Sequence, residues 1–341
     1  MIKRKIKILP GIAACAIIAY PAWLLGRAFP FIGGPVIAIL AGIFIANLFP
    51  GLITNERINL AEGIRVTSKK LLQYSIILLG FEMNLFNIFK VGGQSLLVMI
   101  FTLAAAFITA FFMGRFLKLS GSLATLIGVG TGICGGSAIA ATAPVIGAKD
   151  EDIARAISTI FLFNIAAVFI FPALGHLMDM SDIHFGMWAG TAINDTSSVV
   201  AAGTQWSAAA GNDTALQFAT IVKLTRTLII VPIVLFLAIY TSWRQMKSEA
   251  GKFRFTKVFP WFVIFFILAA VINTFTGLPE AVSKELVTIG KFVIVMAMAA
   301  IGFNTNLKSL FSNGIKPMLF GLCCWFAVAT VSLIVQRYIS L

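Results

Sequence analysis

Charge is scarce in this sequence. Asp, Glu, Lys and Arg make up only 11% of its 341 residues, whereas an ordinary soluble domain contains about 25%. So few charged side chains could not cover a soluble fold of this size, and the 59% of apolar residues excludes intrinsic disorder. The long apolar runs exclude a membrane barrel, because barrel strands alternate apolar and polar residues. The class that remains is an all-α integral membrane protein.

Cysteine and histidine are also few, and their positions predict neither a metal site nor a disulfide framework. The four cysteines all lie in apolar runs, where this side chain is usually a small hydrophobe. His176 and His184 fall in one connection, without a Ser/His/Asp order or an HExxH motif. We therefore expect no enzyme activity, no metal and no other cofactor.

Apolar runs fill most of the chain. A helix needs about 20 mostly apolar residues to cross a bilayer, and we identify eleven candidate segments with short connections. They are residues 8–26, 31–50, 69–81, 94–117, 121–147, 153–177, 183–203, 215–240, 258–275, 284–303 and 314–338. No stretch indicates a separate soluble domain, so residues 1–341 are expected to form a single membrane domain.

The basic residues indicate the orientation of these segments. If the N-terminus is cytoplasmic and every segment crosses, most of the 26 Lys and Arg residues lie in cytoplasmic connections, as the positive-inside rule requires. One connection disagrees, because Asp179 and Asp182 then lie inside without Lys or Arg. Membrane orientation accounts for the net charge of +13, so no nucleic-acid partner is expected.

Two internal repeats connect distant segments. LGFEMNL at 79–85 matches IGFNTNL at 301–307, and GTGI at 130–133 matches GTAI at 190–193. The copies of the first pair face opposite sides of the membrane, and the second pair is inverted only if the fifth and seventh segments are re-entrant. Inverted repeats with interrupted helices are typical of secondary transporters, and a glycine-rich packing face is the alternative interpretation.

The fifth segment contains a glycine-rich polar run that predicts a broken helix. A break at membrane depth exposes backbone N–H groups, which favour anions, and carbonyl groups, which favour cations. The candidate binding residues of this run are Gly130, Thr131, Gly132, Cys134, Gly135, Gly136 and Ser137.

The seventh segment carries an acid, an amide and several hydroxyl groups. An ionisable group at membrane depth costs roughly 2.5–3.5 kcal/mol on insertion scales. Asp195 either caps a helix in a loop at the membrane surface or faces a cavity, where it carries a proton, holds a cation or pairs with a base. The candidate binding residues are Gly190, Thr191, Asn194, Asp195, Thr196 and Ser197, and Asp195 is the candidate site of a coupling ion.

Lys223 and Arg226 lie in an otherwise apolar segment, near its predicted mid-depth. Residues at i and i+3 share a helix face, so both charges are expected to point into one cavity. An Arg fork and a Lys point charge suit an oxyanion, and snorkelling toward an interface is the alternative. Asn164 and Lys291 are weaker candidates, and Asn164 is explained equally well as an interhelical contact.

These polar blocks resemble a known family. GVGTGICGGSAIAA at 128–141, GTAINDT at 190–196, VKLTR at 222–226 and LLGF at 78–81 are similar to blocks of the YeiH-type bacterial proteins, which are named for sulfate export. The resemblance implies a multi-pass protein of the bacterial inner membrane, distantly similar to sodium/proton antiporters and bile-acid symporters. Proteins of that group combine inverted repeats, a panel and a mobile core with crossed broken helices. The core is expected to include residues 69–147, 183–240 and 284–338.

The sequence therefore predicts a secondary transporter for a small anion, sulfate or an organosulfonate, that works by elevator-like alternating access. Lys223 and Arg226 would neutralise the anion, and Asp195 would hold them or carry the coupling proton. In the alternative, a cation-coupled antiporter or symporter, Asp195 binds Na⁺ or H⁺ and the basic pair is structural. A non-transporting receptor is the third class, which the short connections disfavour. The expected partners are the lipid bilayer, the anion and H⁺ or Na⁺, and a homodimer is left open.

Overall fold

The structure of the chain is a computed structural model that describes residues 2–30, 32–51, 60–230, 232–233, 236–237, 261–276, 278–305 and 314–338. Within these residues the regular structure is helical and includes no strand. Five of the helices found there are long and apolar enough to cross a membrane. The chain is thus an all-helical, multi-pass membrane protein, as its composition predicts, while the count of eleven spans stays a prediction.

The helices are numbered along the chain. They are α1 (Ile2–Ala28), α2 (Gly34–Leu48), α3 (Leu60–Val66), α4 (Leu72–Leu79), α5 (Leu85–Phe116), α6 (Gly121–Gly132), α7 (Gly136–Thr142), α8 (Asp150–Leu177), α9 (Asp182–Ala192), α10 (Thr196–Ala210), α11 (Thr214–Leu228), α12 (Trp261–Thr276), α13 (Glu280–Phe303) and α14 (Ile315–Gln336). A π-helical turn, Thr67–Leu71, joins α3 to α4, and a 3₁₀ turn, Gly80–Glu82, follows α4. The five long apolar helices are α1, α5, α8, α13 and α14.

The third segment begins earlier than its apolar run predicts. The apolar run predicts a segment at 69–81, but the helix begins at Leu60, because contact with α1 stabilises its first turns. A Cβ atom on Gly63 would lie 2.2 Å from the carbonyl oxygen of Ile8, so the two backbones touch. Such close approach requires glycine, and it explains a helical turn that a count of apolar residues misses.

The fourth segment is also longer than predicted. Its helix α5 begins at Leu85 rather than at residue 94, and it includes the exposed side chain of Lys90. A helix tolerates polar residues on an exposed face, so α5 can begin with residues whose composition is that of a connection.

The chain packs into two compact units. The first contains Met1–Phe89, Val200–Gln217 and Trp261–Lys308, and the second contains Lys90–Val199, Phe218–Pro260 and Ser309–Leu341. The grouping into a panel and a core that the family resemblance implies stays a prediction.

In the first unit, α13 packs against α1, α2 and α4, and α12 packs against α4. The first sequence repeat contributes a glycine to each of two close contacts. A Cβ atom on Gly80 would lie 2.6 Å from the carbonyl oxygen of Phe266, and one on Gly302 would lie 2.3 Å from that of Ile39. The two copies therefore serve a similar packing role, although residues 306–307 lie outside the described chain and an inverted repeat stays a prediction.

In the second unit, α6 packs against α7, α8 and α14, while α9 packs against α8 and α14. Leu126, Ile160 and Phe320 are fully buried where α6, α8 and α14 meet. The indole nitrogen of Trp188 in α9 donates a hydrogen bond to the carbonyl oxygen of Ala329 in α14, at 3.1 Å. These contacts hold α6 and α9 in fixed positions within the unit.

Candidate functional site

Both polar runs interrupt a helix. In the fifth segment α6 ends at Gly132 and α7 begins at Gly136, and in the seventh α9 ends at Ala192 and α10 begins at Thr196. The interrupted helices that the glycine and polar runs predict are therefore present in the described chain. The candidate binding residues surround these two breaks and lie in the second unit, whereas the weaker candidate Lys291 lies in the first.

The two breaks lie side by side. Gly135 has a positive φ of 69°, and a Cβ atom on it would lie 3.4 Å from the Cβ atom of Asp195 and 3.5 Å from the amide nitrogen of Asn164. A residue with a side chain would be strained in this backbone conformation, and its Cβ atom would lie in van der Waals contact with the second break. The positive φ is therefore what favours glycine at the point where the two breaks meet.

Lys223 connects the breaks from α11. Its side chain is buried, and its ammonium donates hydrogen bonds to the carbonyl oxygens of Ile133 and Ile193, each at 2.9 Å. These two carbonyl groups occupy the same position in the repeat 130–133 and 190–193. One ammonium thus binds equivalent atoms of both interrupted helices.

Arg226 repeats this arrangement one turn further along α11. Its guanidinium donates to the carbonyl oxygen of Gly132 at 2.8 Å and to that of Thr131 at 2.7 Å. It also donates to the carbonyl oxygen of Thr191, the residue that matches Thr131 in the repeat. The planar fork of arginine suits this task because its donors point in several fixed directions.

These contacts have a simple physical cause. The last carbonyl groups of a helix have no partner within it, and an unpaired buried carbonyl group is costly. The negative end of each helix dipole also attracts a cation. Lys223 and Arg226 are 0% and 1% exposed, so their charges depend on these carbonyl groups for solvation. The carbonyl groups thus gain hydrogen-bond donors, and the two cations gain oxygen atoms that replace water.

Asp195 caps the helix that follows the second break. Its carboxylate accepts hydrogen bonds from the backbone nitrogen of Ser197, at 3.0 Å, and from the hydroxyl of the same residue. Its own backbone nitrogen donates to the side-chain oxygen of Asn164 in α8, at 3.1 Å. Asp195 therefore acts as a helix cap, and it does so at the break between α9 and α10. In the described structure its carboxylate contacts Ser197 rather than Lys223 or Arg226.

Several predicted residues have packing roles. A Cβ atom on Gly190 would lie 2.7 Å from Val222, and one on Gly130 would lie 3.1 Å from Ile139 and Ile160. Gly132 has only ordinary neighbours, and the thiol of Cys134 is buried. The hydroxyl of Thr191 bonds to its own helix and to the hydroxyl of Ser332, at 2.6 Å. Gly136 and Thr196 are half-buried, and Ser137 is exposed.

Two buried polar side chains at the breaks lack partners within the described part of the chain. Asn194 is 1% exposed, and neither its amide nitrogen nor its amide oxygen has a hydrogen-bond partner there. The hydroxyl of Thr131 is also buried and unpaired. Buried polar groups are usually satisfied, so these atoms are available to water or a ligand.

Sequence reasoning missed two features of the site. It did not foresee that Lys223 and Arg226 bind backbone carbonyl groups, since every residue has one and no motif marks those that are used. It also missed Ser332, whose only signal is a hydroxyl within the apolar helix α14. Asn164, a weaker candidate, proves to be an interhelical contact that holds the second break.

Fold and site together define a multi-pass membrane protein with two interrupted helices joined by a buried basic pair. The chain belongs to the family described as Conserved hypothetical protein 698, whose model matches residues 10–321. It is 46% identical to a UPF0324 membrane protein of Fusobacterium nucleatum, over 97% of this chain and 98% of that protein. It is 50% identical to a UPF0324 membrane protein of Streptococcus pyogenes, over 96% of each chain. It is 43% identical to a UPF0324 membrane protein of Streptococcus mutans, over 99% of each chain. No solved structure matches the chain. These names describe membrane proteins and do not mention sulfate, so the resemblance to sulfate exporters stays a prediction.

Proposed function

We propose that the protein is a secondary-active transporter that moves a small anion, sulfate or an organosulfonate, by elevator-like alternating access. The observation that carries this proposal is the excess of buried positive charge at the breaks. Lys223 and Arg226 bring two positive charges, whereas the carbonyl ends of two helices amount to about one negative charge in total. Asp195 lies at the positive end of α10, which offsets part of its charge. A net positive charge remains for an anion to neutralise.

The unpaired donors at the breaks supply the contacts that such an anion needs. The amide of Asn194 and the hydroxyl of Thr131 can donate hydrogen bonds to oxyanion oxygens. Binding there would satisfy groups that are costly to bury alone. Lys223 and Arg226 would then act on the anion through their charge, while their N–H groups hold the two broken helices.

A cation-coupled carrier is the second candidate, and one observation favours it. Both basic side chains donate hydrogen bonds to backbone carbonyl groups, as a structural pair would. Asp195 is half-buried at the break, and its contacts with Ser197 leave one carboxylate oxygen for an ion. In this version Asp195 binds Na⁺ or H⁺ and no anion is needed.

Transport in reconstituted vesicles separates the two candidates. Vesicles loaded with unlabelled sulfate are diluted into radiolabelled sulfate, with and without gradients of sodium or pH. We expect exchange above that of protein-free vesicles, competed by organosulfonates. A sodium or proton flux that needs no anion would instead favour the cation carrier.

Asp195→Asn refines this test because asparagine is as good a helix cap as aspartate but carries no charge. Asp195→Ala removes both the cap and the charge. If Asp195 is only a cap, Asp195→Asn should exchange sulfate as the unchanged protein does, and Asp195→Ala should not. If Asp195 holds the coupling ion, both variants should lose the ion-driven flux.

A further inference from the structure

The first unit contains a cavity of about 410 Å³ that is partly open to solvent. It lies between the end of α1, the start of α2, the end of α10 with the turn that follows it, and α13. Pockets that bind small molecules commonly measure about 300–1,000 Å³. The cavity is therefore large enough for a small organic molecule.

Most of the cavity wall is apolar. The half-buried ring of Trp23 lines it together with Pro30 and Pro35. The ring of Phe292 lies edge-on to that of Trp23, with the ring centroids 6.0 Å apart, and helps to fix its position. A small hydrated ion gains little from such a wall, because apolar atoms cannot replace the hydrogen bonds of its water shell. The wall favours a ligand with an apolar body.

Three charged side chains also line the cavity, which are Arg27 in the last turn of α1, Asp213 in the turn between α10 and α11, and Lys291 in α13. Lys291 forms an ion pair with Asp213, and the two side chains are only 21% and 28% exposed. Glu82 interacts electrostatically with this pair but does not line the cavity. The pair thus balances its own charges at the wall.

Arg27 is the cation that remains. Among the described residues it forms no ion pair, and its side chain is exposed, so a ligand that enters from solvent can reach it. The planar guanidinium matches the oxygens of a carboxylate or a sulfonate. A cation beside an apolar wall therefore favours a ligand that combines one negative charge with an apolar body.

We propose that this cavity is a second ligand site, which binds an organic monoanion. Arg27 binds the anionic group, and Trp23 and the two prolines contact the apolar body. The ammonium of Lys291 has three donors and pairs with Asp213 through one of them, so it can also donate to the anion. The site lies outside the helix breaks and does not depend on the proposed transport function. A free organic anion and an anionic lipid share this chemistry.

Binding of radiolabelled benzoate to the purified protein in a non-ionic detergent tests the site. We expect saturable binding, weakened about tenfold or more in Arg27→Gln, because a hydrogen bond to a charged group is lost. Arg65→Gln is the matched control, since Arg65 is also exposed in the last turn of a helix of the first unit but does not line the cavity. Its affinity should equal that of the unchanged protein. Equal affinities in all three proteins, or no saturable binding, would overturn the proposal.

Two competitors separate the contributions of charge and apolar contact. Acetate has the charge without the ring, and benzyl alcohol has the ring without the charge. Each should displace labelled benzoate at least about tenfold less effectively than unlabelled benzoate does. Competition by acetate as strong as that by benzoate would contradict a role for the apolar wall, and equally strong competition by benzyl alcohol would contradict a role for Arg27.

Sulfate and Asn194→Leu show whether benzoate binds at the helix breaks instead. Because the cavity requires an apolar body, excess sulfate should not displace benzoate, and Asn194→Leu should bind it with unchanged affinity. Displacement by sulfate together with weaker binding in Asn194→Leu would place benzoate at the breaks and overturn a second site. These measurements need no transport, so a protein that exchanges no sulfate would leave the proposal standing.

Phosphatidylglycerol added to the detergent distinguishes the two sources of the anion. If the occupant is a lipid, phosphatidylglycerol should displace benzoate from the unchanged protein and phosphatidylcholine should not. If the occupant is a free anion, neither lipid should compete. Displacement by both lipids alike would show that the negative charge is not recognised, which contradicts the proposal.

Discussion

Gly135 and Asp195 face each other across the two helix breaks, where a Cβ atom on Gly135 would lie 3.4 Å from that of Asp195. One break requires a residue without a side chain, and the other supplies a carboxylate that caps the following helix. Because the breaks are this close, Lys223 and Arg226 can each bind carbonyl groups on both sides. The arrangement depends on all four residues.

Gly135→Ala should reduce both stability and transport. A non-glycine residue at positive φ costs about 1–2 kcal/mol, and the new methyl group would lie in contact with Asp195 at the second break. Gly147→Ala is a matched control, because Gly147 has a φ of 61° but nothing within 4 Å of its Cβ position. The melting temperature should fall in both variants, whereas the rate of sulfate exchange should fall only in Gly135→Ala. Equal exchange by the two variants would argue against the close contact.

Arg226→Lys should destabilise the protein although the charge is kept. A lysine ammonium cannot replace the guanidinium fork at three carbonyl groups, and each group left unpaired costs about 1–3 kcal/mol. Thermal unfolding of the purified protein measures this loss. Arg155→Lys is the control, since Arg155 pairs at the surface with Glu151 and should change stability by less than about 1 kcal/mol. Similar small effects in both variants would show that the carbonyl contacts matter little.

Asn194→Leu should stabilise the ligand-free protein. Its amide has no hydrogen-bond partner among the described residues, and an unpaired buried amide costs about 1–3 kcal/mol. The stabilisation that added sulfate gives the unchanged protein should be absent from this variant. Asn164→Leu provides the contrast, because Asn164 is equally buried but bonded to the backbone of Asp195, so it should lower the melting temperature. A comparable fall of the melting temperature in both variants would mean that the amide of Asn194 already has hydrogen-bond partners.

Burial of Glu82, in the 3₁₀ turn after α4, and the nearby carboxylate of Asp213 raise the pKa of its carboxyl group, which makes stability depend on pH. The native state holds this proton more tightly than the unfolded chain, so the contribution is complete below the ordinary value of 4.5. It is lost as pH rises through the higher native value. The glutamine of Glu82→Gln stays neutral. As pH rises through the native pKa of Glu82, the melting temperature of this variant should therefore fall less than that of the unchanged protein or of Glu280→Gln, in which an exposed acid is replaced. The same change of melting temperature with pH in all three proteins would contradict the raised pKa.

The sequence was informative where composition changes sharply. Glycine and polar residues at 130–137 and 190–198 stand out within apolar segments, and the structure breaks the helices there. Lys223 and Arg226 stand out for the same reason, because buried charge in an apolar segment needs a partner. In the structure both side chains lie next to both breaks, while the cavity that their spacing predicts stays a prediction.

Other features leave no trace in the sequence. The partners of Lys223 and Arg226 are backbone carbonyl groups, which only the path of the chain brings within reach. The start of α3 depends on contact between Gly63 and the backbone of α1, which is invisible to a count of apolar residues. Arg27, Asp213 and Lys291 are far apart in the sequence, and only packing brings them to one cavity.

The most direct test of the account is to locate an anion in the structure of the protein. Selenate has the shape and charge of sulfate, and its selenium gives an anomalous X-ray signal. In crystals grown with selenate, we expect a selenium peak between the two breaks, within hydrogen-bond distance of the Asn194 amide, and no peak there in Asn194→Leu. A protein that exchanges selenate in vesicles but shows its only selenium peak elsewhere would contradict an anion site at the breaks.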